Sequence, residues 1–258
     1  MLWNIKLEPM VDKVVLITGA SRGIGAASAL LAAQKGWAVA VNYLANSLTA
    51  DEVVRQIRAA GGTAIAIKAD VSIEADVLRM FETVDAKLGR LQGLVNNAGV
   101  VDVAARLDAM SVARLERMWA TNITSSFVCA REAVKRMSTR YGGAGGSIVN
   151  LSSAAARMGS PGQYVDYAAS KAAIDTFTMG LAKEVATEGV RVNGVRPGII
   201  DTDIHASGGQ PDRVVLMGPQ VPMQRAGTAL EVAQAIVWLL SDAASYTTGS
   251  IVDVTGGR

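Results

Sequence analysis

Short apolar runs alternate with longer amphipathic segments along almost the whole chain, and this alternation constrains the fold most. Runs rich in β-branched residues predict strands at 13–18, 38–42, 63–68, 91–95, 147–151, 190–195 and 250–254. Segments with helical spacing lie among them at 24–35, 48–60, 73–88, 111–138, 166–188 and 228–240. The runs are continuously apolar, as in a parallel sheet covered on both faces. The sequence therefore predicts an α/β fold, a single-domain doubly wound parallel sheet of about seven strands.

The composition excludes several classes of protein. The chain has 258 residues, of which 50% are hydrophobic, so it can bury a core and does not suit a disordered protein. A net charge of +2 gives no reason to expect nucleic acid or an anionic membrane as a partner. One cysteine and one histidine exclude an intrachain disulfide and a multi-His or Cys-rich metal site, so we expect no metal.

Neither a membrane span nor a signal peptide is indicated by the sequence. No stretch reaches the roughly 18 apolar residues of a membrane span, and the first residues lack the basic and apolar regions of a signal peptide. We therefore expect a cytoplasmic protein with no membrane partner. Residues 1–10 are expected to be an N-terminal extension, and residues 11–258 a single domain.

A glycine-rich turn follows the first predicted strand and opens the first predicted helix. Residues 18–25 read TGASRGIG. In such a turn one glycine allows the tight bend, one admits a pyrophosphate and one lets the helix pack against the strand. A purely structural turn is the alternative, but the helix N-terminus that follows attracts phosphate. The candidate cofactor contacts here are Gly19, Ser21, Arg22, Gly23, Ile24 and Gly25.

The end of the second predicted strand indicates which dinucleotide binds. An NAD site usually has an acidic residue there for the ribose 2′-hydroxyl. Here Asn42 and Tyr43 end the strand, and no acidic residue follows before Asp51. Arg22 in the glycine turn supplies a cation instead, unless it is merely solvated. Because a carboxylate repels a 2′-phosphate while Arg22 and Asn42 would accept one, we expect NADP(H) in preference to NAD(H).

Tyr167 and Lys171 begin a predicted helix with the sequence YAASK. Residues four apart share one helix face, so the ammonium is expected to stabilise the phenolate and lower the pKa of Tyr167. Such a phenol suits proton transfer to or from a carbonyl oxygen. The pair alone is common on protein surfaces. The glycine turn upstream, and Ser152 and Ser153 at the end of a strand, favour a catalytic site.

These motifs, in this order, resemble the short-chain dehydrogenase/reductase family, which has a Rossmann fold. The resemblance runs from about residue 11 to the C-terminus and includes NNAG at 96–99 and RPG at 196–198. Within that family, the sequence is most similar to bacterial sugar-dehydrogenase-like and 3-oxoacyl-reductase-like oxidoreductases. The family resemblance also implies a homotetramer and a small-molecule carbonyl or alcohol substrate.

The resemblance implies a role for each matching residue. Tyr167 is the general acid/base, Ser153 binds the substrate oxygen, Lys171 holds the nicotinamide ribose and lowers the pKa of Tyr167, and Asn122 anchors a water in a proton relay. Further cofactor contacts are implied at Asp70, Val71, Asn97, Ala98, Gly99, Pro197, Gly198, Ile200 and Thr202.

Two assignments depend on the alignment. The segment from Ser153 to Tyr167 is one residue longer than the commonest family spacing, but the run GSPGQ at 159–163 still selects Ser153 over Ser152. Tyr164 has no lysine four residues on, so it is expected to line the substrate pocket with Met158 and His205 and not to replace Tyr167.

Residues 198–224 interrupt the alternation of strands and helices. They are rich in glycine and proline and have no clear period. Loops of this length are usually functional or disordered. We expect a mobile lid over the substrate, with His205, Met217 and Met223 facing it, although an irregular excursion is the alternative.

The sequence therefore predicts an NADP(H)-dependent oxidoreductase that moves a hydride between nicotinamide and a carbonyl or alcohol carbon. Two alternatives stay open: a catalytically idle NADP(H) sensor, and an epimerase or dehydratase on the same scaffold. Intact Ser153, Tyr167, Lys171 and Asn122 favour the oxidoreductase over the sensor.

Overall fold

The computed structural model describes residues 13–258, so the expected extension at residues 1–10 lies outside the described residues. The strands are β1 Lys13–Ile17, β2 Trp37–Tyr43, β3 Ala64–Lys68, β4 Leu91–Asn96, β5 Gly146–Leu151, β6 Val190–Pro197, β7 Ile200–Asp201, β8 Gly227–Thr228 and β9 Ile251–Val254. The helices are α1 Gly23–Gln34, α2 Ser47–Ala59, α3 Glu74–Lys87, α4 Val112–Trp119, α5 Ser125–Met137, α6 Ala155–Met158, α7 Val165–Val185, α8 Ile204–Ser207, α9 Arg213–Met217 and α10 Ala229–Leu240.

The main sheet has seven parallel strands in the order β3-β2-β1-β4-β5-β6-β9. The chain builds outward from β1 in one direction through β2 and β3, and then in the other direction through β4. The carboxyl ends of β1 and β4 therefore flank the point where the strand order reverses. Such a switch point is where doubly wound sheets bind ligands. The predicted fold class is confirmed.

The core lies in two layers, one on each face of the sheet. Alternate residues of β1 point to opposite faces, so Val15 and Ile17 pack with α1 and α10, while Val14 and Leu16 pack against α3 and α5. Cys129 is 1% exposed in the second layer, and burial raises the pKa of its thiol to about 12. That thiol is a core residue, as the sequence predicts.

The long helix predicted at 111–138 is interrupted. A π-helical turn, Ala120–Thr124, joins α4 to α5 and carries Asn122. Single π turns inside helices often occur at functional sites. Within residues 13–258, no helix combines the length and apolarity needed to cross a membrane.

The segment at 198–224 is more ordered than the sequence suggests. It contains the short helices α8 and α9, and its base is closed by a two-residue parallel ladder in which Ile200 pairs with Gly227 and Asp201 with Thr228. Ile199, Ile200 and Val221 are buried. The alternative of an irregular excursion is therefore wrong.

Candidate active site

A cleft of about 1110 Å³ opens at the carboxyl ends of β1, β2, β4, β5 and β6. It exceeds the roughly 300–1,000 Å³ of an ordinary small-molecule pocket, so it can hold a dinucleotide and a second molecule together. Nearly all sequence-predicted site residues line it. Among the described residues, Gly25, Asn122, Met217 and Met223 do not.

The glycine turn forms the floor of one end of the cleft. Gly19 and Gly23 have φ of +61° and +55°, in the left-handed region that favours glycine. A Cβ on Gly25 would lie 2.6 Å from the Gly19 carbonyl oxygen and 2.6 Å from the Asn97 Nδ2. Gly25 therefore permits the close approach of α1 to the glycine turn and does not line the cleft.

The N-terminus of α1 suits a phosphate group. The residue before the helix, Arg22, provides no side-chain cap, and the first turn holds no acidic residue. Gly23 and Ile24, in that turn, line the cleft. Uncapped N–H groups and the helix dipole attract an anion, so these residues fit the pyrophosphate of a dinucleotide.

Asn42 has a different role from the one expected. Its side chain is buried, its Oδ1 accepts the Gly19 N–H at 3.0 Å, and its Nδ2 donates to the Ala69 carbonyl at 3.1 Å. These bonds hold the glycine turn beside the end of β3. They engage both the Oδ1 and the Nδ2 atom of the Asn42 side chain within the protein. The expectation that the Asn42 amide accepts a 2′-phosphate is therefore wrong.

Arg22 keeps the position that the sequence predicts. Its side chain is 62% exposed at the rim of the cleft, where its Nη1 lies 3.9 Å from the Asp203 Oδ2. This contact is long and exposed, so it holds the guanidinium only weakly. Arg22 therefore places a positive charge beside the glycine turn at the rim of the cleft.

Asn97 and Asp70 shape the cleft through bonds within the protein. The Asn97 Nδ2 donates to the carbonyls of Thr18 and Gly19 at 2.7 and 3.0 Å, which clamps the ends of β1 and β4 together. The Asp70 Oδ1 accepts the backbone N–H and the hydroxyl of Ser72 at 2.9 and 2.6 Å. Both residues line the cleft.

The remaining predicted cofactor contacts surround the same cavity. They lie in the loops after β2, β3, β4 and β6, which meet at the carboxyl edge of the sheet. The structure brings together Tyr43, Val71, Ala98, Gly99, Pro197, Gly198, Ile200 and Thr202.

Tyr167 and Ser153 meet at the centre of the cleft. Tyr167 lies in the first turn of α7, and Ser153 follows β5. Desolvation raises the pKa of Tyr167, and a hydrogen bond with the Ser153 side chain acts in the opposite direction. The phenol is therefore protonated at neutral pH.

Lys171 lies one helical turn beyond Tyr167, as its spacing predicts. Its Nζ donates to the Leu151 carbonyl at 2.7 Å and lies 5.7 Å from the centroid of the Tyr167 ring. Burial lowers the pKa of Lys171 to about 8, against the charge of Asp175, which raises it. Desolvation raises the pKa of Tyr167 overall, and the expected lowering of that pKa by Lys171 stays a prediction.

The structure distinguishes the neighbouring serines and tyrosines. Both serines line the cleft, but Ser152 is buried and its hydroxyl donates to the Lys171 carbonyl at 3.1 Å, whereas Ser153 is half-buried. Tyr164 lines the cleft with Met158 and His205, and its hydroxyl donates to the Gly208 carbonyl at 3.4 Å. Ser153 and Tyr167 both line the cleft, and the roles expected for them stay predictions.

Asn122 lies behind the cleft wall. Its Oδ1 accepts the Val100 N–H at 2.8 Å, and its Nδ2 donates to the Val100 carbonyl at 2.9 Å and to the Ser170 hydroxyl at 3.2 Å. A Cβ on Gly99 would lie 3.4 Å from both the Asn122 Oδ1 and the Lys171 Nζ. Asn122 therefore packs beside Lys171 and holds the loop after β4 through its bonds to Val100.

His205 is held by the backbone at the base of its segment. Its Nε2 lies 2.9 Å from the Ile200 carbonyl oxygen, and burial lowers its pKa. The neutral ring faces the cleft.

Sequence reasoning missed several charged residues near the site. Asp175 follows Lys171 by four residues, a signal that helical spacing offered. Arg114 and Asp166 form a buried ion pair, with 2.7 Å between Nε and Oδ2, next to Tyr167. Arg213 and Arg258 line the cleft, and no sequence motif marks them.

The fold is a parallel seven-stranded sheet with a glycine turn under a helix N-terminus. Ser153, after β5, and Tyr167 and Lys171, on α7, line the cleft at the carboxyl edge of that sheet. The family model described as enoyl-(acyl carrier protein) reductase matches residues 19–258. The chain belongs to the short-chain dehydrogenase/reductase family and is an oxidoreductase of that family.

Individual relatives agree with this assignment. The chain is 56% identical to the uncharacterized oxidoreductase YgfF of Escherichia coli over 95% of this chain and 99% of that protein. It is 40% identical to a 3-oxoacyl-[acyl-carrier-protein] reductase of Synechocystis over 97% and 98% of the two chains. A mutant short-chain dehydrogenase/reductase of Serratia marcescens superposes with a TM-score of 0.87 at 33% identity, covering 97% and 99%.

Proposed function

We propose that this protein is an NADP(H)-dependent oxidoreductase that interconverts a carbonyl and an alcohol, with Tyr167 as general acid/base. The observation that carries the proposal is the meeting of Ser153, Tyr167 and Lys171 in one cleft with the uncapped N-terminus of α1. An idle nucleotide sensor would need neither a general acid/base nor a group that binds the substrate oxygen, the roles proposed for Tyr167 and Ser153.

The chain's own residues divide the work of the reaction. A bound nicotinamide supplies or accepts the hydride. Ser153 donates a hydrogen bond to the substrate oxygen, and Tyr167 gives that oxygen its proton during reduction. The raised pKa of Tyr167 keeps the proton on the phenol, which suits this direction. Lys171, fixed by the Leu151 carbonyl, presents its charge beside the tyrosine.

The preference for NADP(H) rests on charge at the rim of the cleft. The residues that end β2 and follow it, 42–46, are NYLAN and include no carboxylate. Arg22 lies exposed at the same end of the cleft. A guanidinium binds a 2′-phosphate through charge-assisted hydrogen bonds that the 2′-hydroxyl of NAD(H) cannot match.

Replacing Arg22 tests this preference. Arg22→Ala is expected to weaken NADPH binding by about 1–3 kcal/mol, the value of a charge-assisted hydrogen bond, and to leave NADH binding nearly unchanged. Arg79→Ala is the control, because Arg79 is as exposed but lies on α3, outside the cleft lining. Equal losses for both cofactors in titrations of Arg22→Ala would contradict the assignment.

A turnover screen tests the activity itself. Purified protein with NADPH is offered sugars, acyl thioesters, ketones and quinones, and NADPH consumption is followed by absorbance. We expect consumption with at least one carbonyl class. Tight NADPH binding with no turnover on any compound would support the sensor, and conversion without net NADPH consumption would support an epimerase or dehydratase.

The proposal extends to a cytoplasmic homotetramer. Large apolar side chains remain exposed on the outer faces of α4, α5 and α7, at Trp119, Phe127 and Met179. Phe127 stacks on Phe177 with ring centroids 3.8 Å apart. Such faces suit association with another subunit. The single buried thiol, Cys129, suits a reducing compartment.

A further inference from the structure

Two arginines lie at the substrate end of the cleft and take no part in the proposed chemistry. Arg213, on α9, and Arg258, the last residue of the sequence, both line the cavity. The Arg213 guanidinium carbon lies 5.5 Å from the centroid of the Tyr164 ring, and its Nη1 donates to the Gln163 Oε1 at 3.1 Å. Arg213 is therefore fixed beside the loop that leads directly into Tyr167.

Neither guanidinium is neutralised by an acidic side chain. Among residues 13–258, no Asp or Glu carboxylate lies within 4.0 Å of Arg213 or Arg258. Neighbouring arginines do form such pairs: Arg157 with Asp253 at 2.8 Å and Arg225 with Glu231 at 2.6 Å. The two cleft arginines thus differ from the arginines around them.

The charged side chains of this end of the cleft, Arg213 and Arg258, are basic. Asp70 and Asp203 are the acidic residues that line the cleft within the described chain, and they belong to the cofactor end, where Asp203 approaches Arg22. Burial and the charge of Arg213 both lower the pKa of Arg258, and Arg213 also lowers the pKa of His205. The two guanidinium groups therefore repel each other, and an anion between them would relieve the repulsion.

We propose that Arg213 and Arg258 form an anion subsite that holds a carboxylate or phosphate group of the substrate while its carbonyl meets Ser153 and Tyr167. This inference rests on the proposed function and names its substrate class: small oxo or hydroxy compounds that carry an anionic group. The paired N–H groups of a guanidinium match both anions, so the shared chemistry is an oxyanion.

Binding of anions that cannot react tests the subsite without turnover. Isothermal titration of the protein saturated with NADP+ compares butyrate and propyl phosphate with neutral butyramide. We expect both anions, or one of them, to bind about 10-fold or more tightly than butyramide, and Arg213→Gln and Arg258→Gln to remove that difference. The control Arg225→Gln, which alters an arginine paired with Glu231, should preserve it. Equal affinity for the anions and butyramide would overturn the subsite.

Turnover then identifies the source of the anion. Pyruvate, acetoacetate and levulinate are compared with their methyl esters, and dihydroxyacetone phosphate with dihydroxyacetone, all with saturating NADPH. We expect a higher kcat/KM for the anionic member of at least one pair, and a loss of about 10-fold or more in both arginine variants, mainly through KM. The two arginine substitutions should change kcat/KM for the methyl esters far less.

The outcomes separate the two proposals. If neutral ketones react as well as their anionic partners and the arginine variants change nothing, the subsite is overturned while the oxidoreductase proposal stands. If no compound consumes NADPH, the proposed function is overturned, and the titration with unreactive anions still decides the subsite.

Discussion

At the scale of single residues, the charges around Lys171 determine how the site responds to pH. Asp175 lies one turn beyond Lys171, and its Oδ2 accepts the Arg196 Nε at 2.9 Å. Arg196 also contacts the Asp253 Oδ1 at 3.3 Å. Burial lowers the pKa of Lys171 to about 8, and the charge of Asp175 limits that fall. The pKa of this buried ammonium therefore depends both on its burial and on the carboxylate one turn away.

The sign of this effect follows from linkage. In the unfolded chain Lys171 has its ordinary pKa of 10.5, so between pH values of about 8 and 10.5 the unfolded state binds more protons at this residue. Its contribution to the free energy of unfolding therefore rises with pH across that window. The pH dependence of activity has the opposite sign. Any activity that needs the Lys171 ammonium falls as pH rises through about 8.

Asp175→Asn tests the electrostatic role of Asp175. Removing the carboxylate removes an influence that raises the pKa of Lys171, so the alkaline limb of the kcat profile should move to lower pH. Asp253→Asn is the matched control, because Asp253 pairs with Arg196 but does not shift the pKa of Lys171. An unchanged limb in Asp175→Asn, or the same shift in both variants, would contradict this account.

Individual residues differ in how far the sequence reveals them. Tyr167 and Lys171 were predictable because four-residue spacing on a helix is a local property. The role of Asn42 was not predictable, because its partners, Gly19 and Ala69, come from two distant loops. The position of Arg213 in the cleft was not predictable either, because it lies in the segment at 198–224, whose sequence has no helix or strand period.

At the scale of secondary structure, a buried ion pair joins α4 to the start of α7. The Arg114 Nε and Nη2 donate to the two Asp166 oxygens at 2.7 and 3.2 Å, and its Nη1 donates to the Val103 carbonyl at 2.7 Å. Asp166 directly precedes Tyr167. The pair therefore fixes the helix turn that presents the tyrosine.

Asp166→Asn is expected to destabilise the fold strongly. The change leaves the buried Arg114 guanidinium uncompensated, which costs about 3–5 kcal/mol. Asp242→Asn is the comparison, because its pair with Lys13 is exposed and is worth less than about 1 kcal/mol. Urea unfolding followed by circular dichroism measures both free energies of unfolding. Similar losses in the two variants would show that the buried pair does not anchor α7.

The elements themselves were largely predictable. The strands and long helices follow from apolar runs and helical spacing, which depend on neighbours along the chain. The π turn at Ala120–Thr124 was not predictable, because the apolar pattern continues through it and Asn122 bonds to Val100, which lies 22 residues away along the chain.

At the scale of the whole molecule, the segment at 198–224 covers the substrate end of the cleft. Its base is held by the β7–β8 ladder. Between the ladder strands, the Gly208 carbonyl, directly after α8, accepts the Tyr164 hydroxyl in a long bond of 3.4 Å. We expect motion to be confined to the part between the ladder strands, and closure over substrate to exclude water.

Amide hydrogen exchange tests this expectation. In the free protein the amides of α8 and α9 should exchange faster than those of the core strands, and they should slow when NADPH and a substrate analogue bind. The Gly227 amide, bonded to the Ile199 carbonyl at 2.9 Å, is an internal control that should be protected throughout. High protection of α8 and α9 without ligand, unchanged by ligand, would mean that this segment is not a lid.

The most direct test of the central claim is the rate of NADPH oxidation by Tyr167→Phe and Tyr164→Phe, with a carbonyl compound that the wild-type protein reduces. The Tyr167→Phe ring still fills the cleft but has no proton to give, so turnover should fall by about 100-fold or more while NADPH binding survives. Tyr164→Phe loses only its long bond to the Gly208 carbonyl and should retain most of the activity. Full activity in Tyr167→Phe, or its loss in Tyr164→Phe alone, would contradict the account.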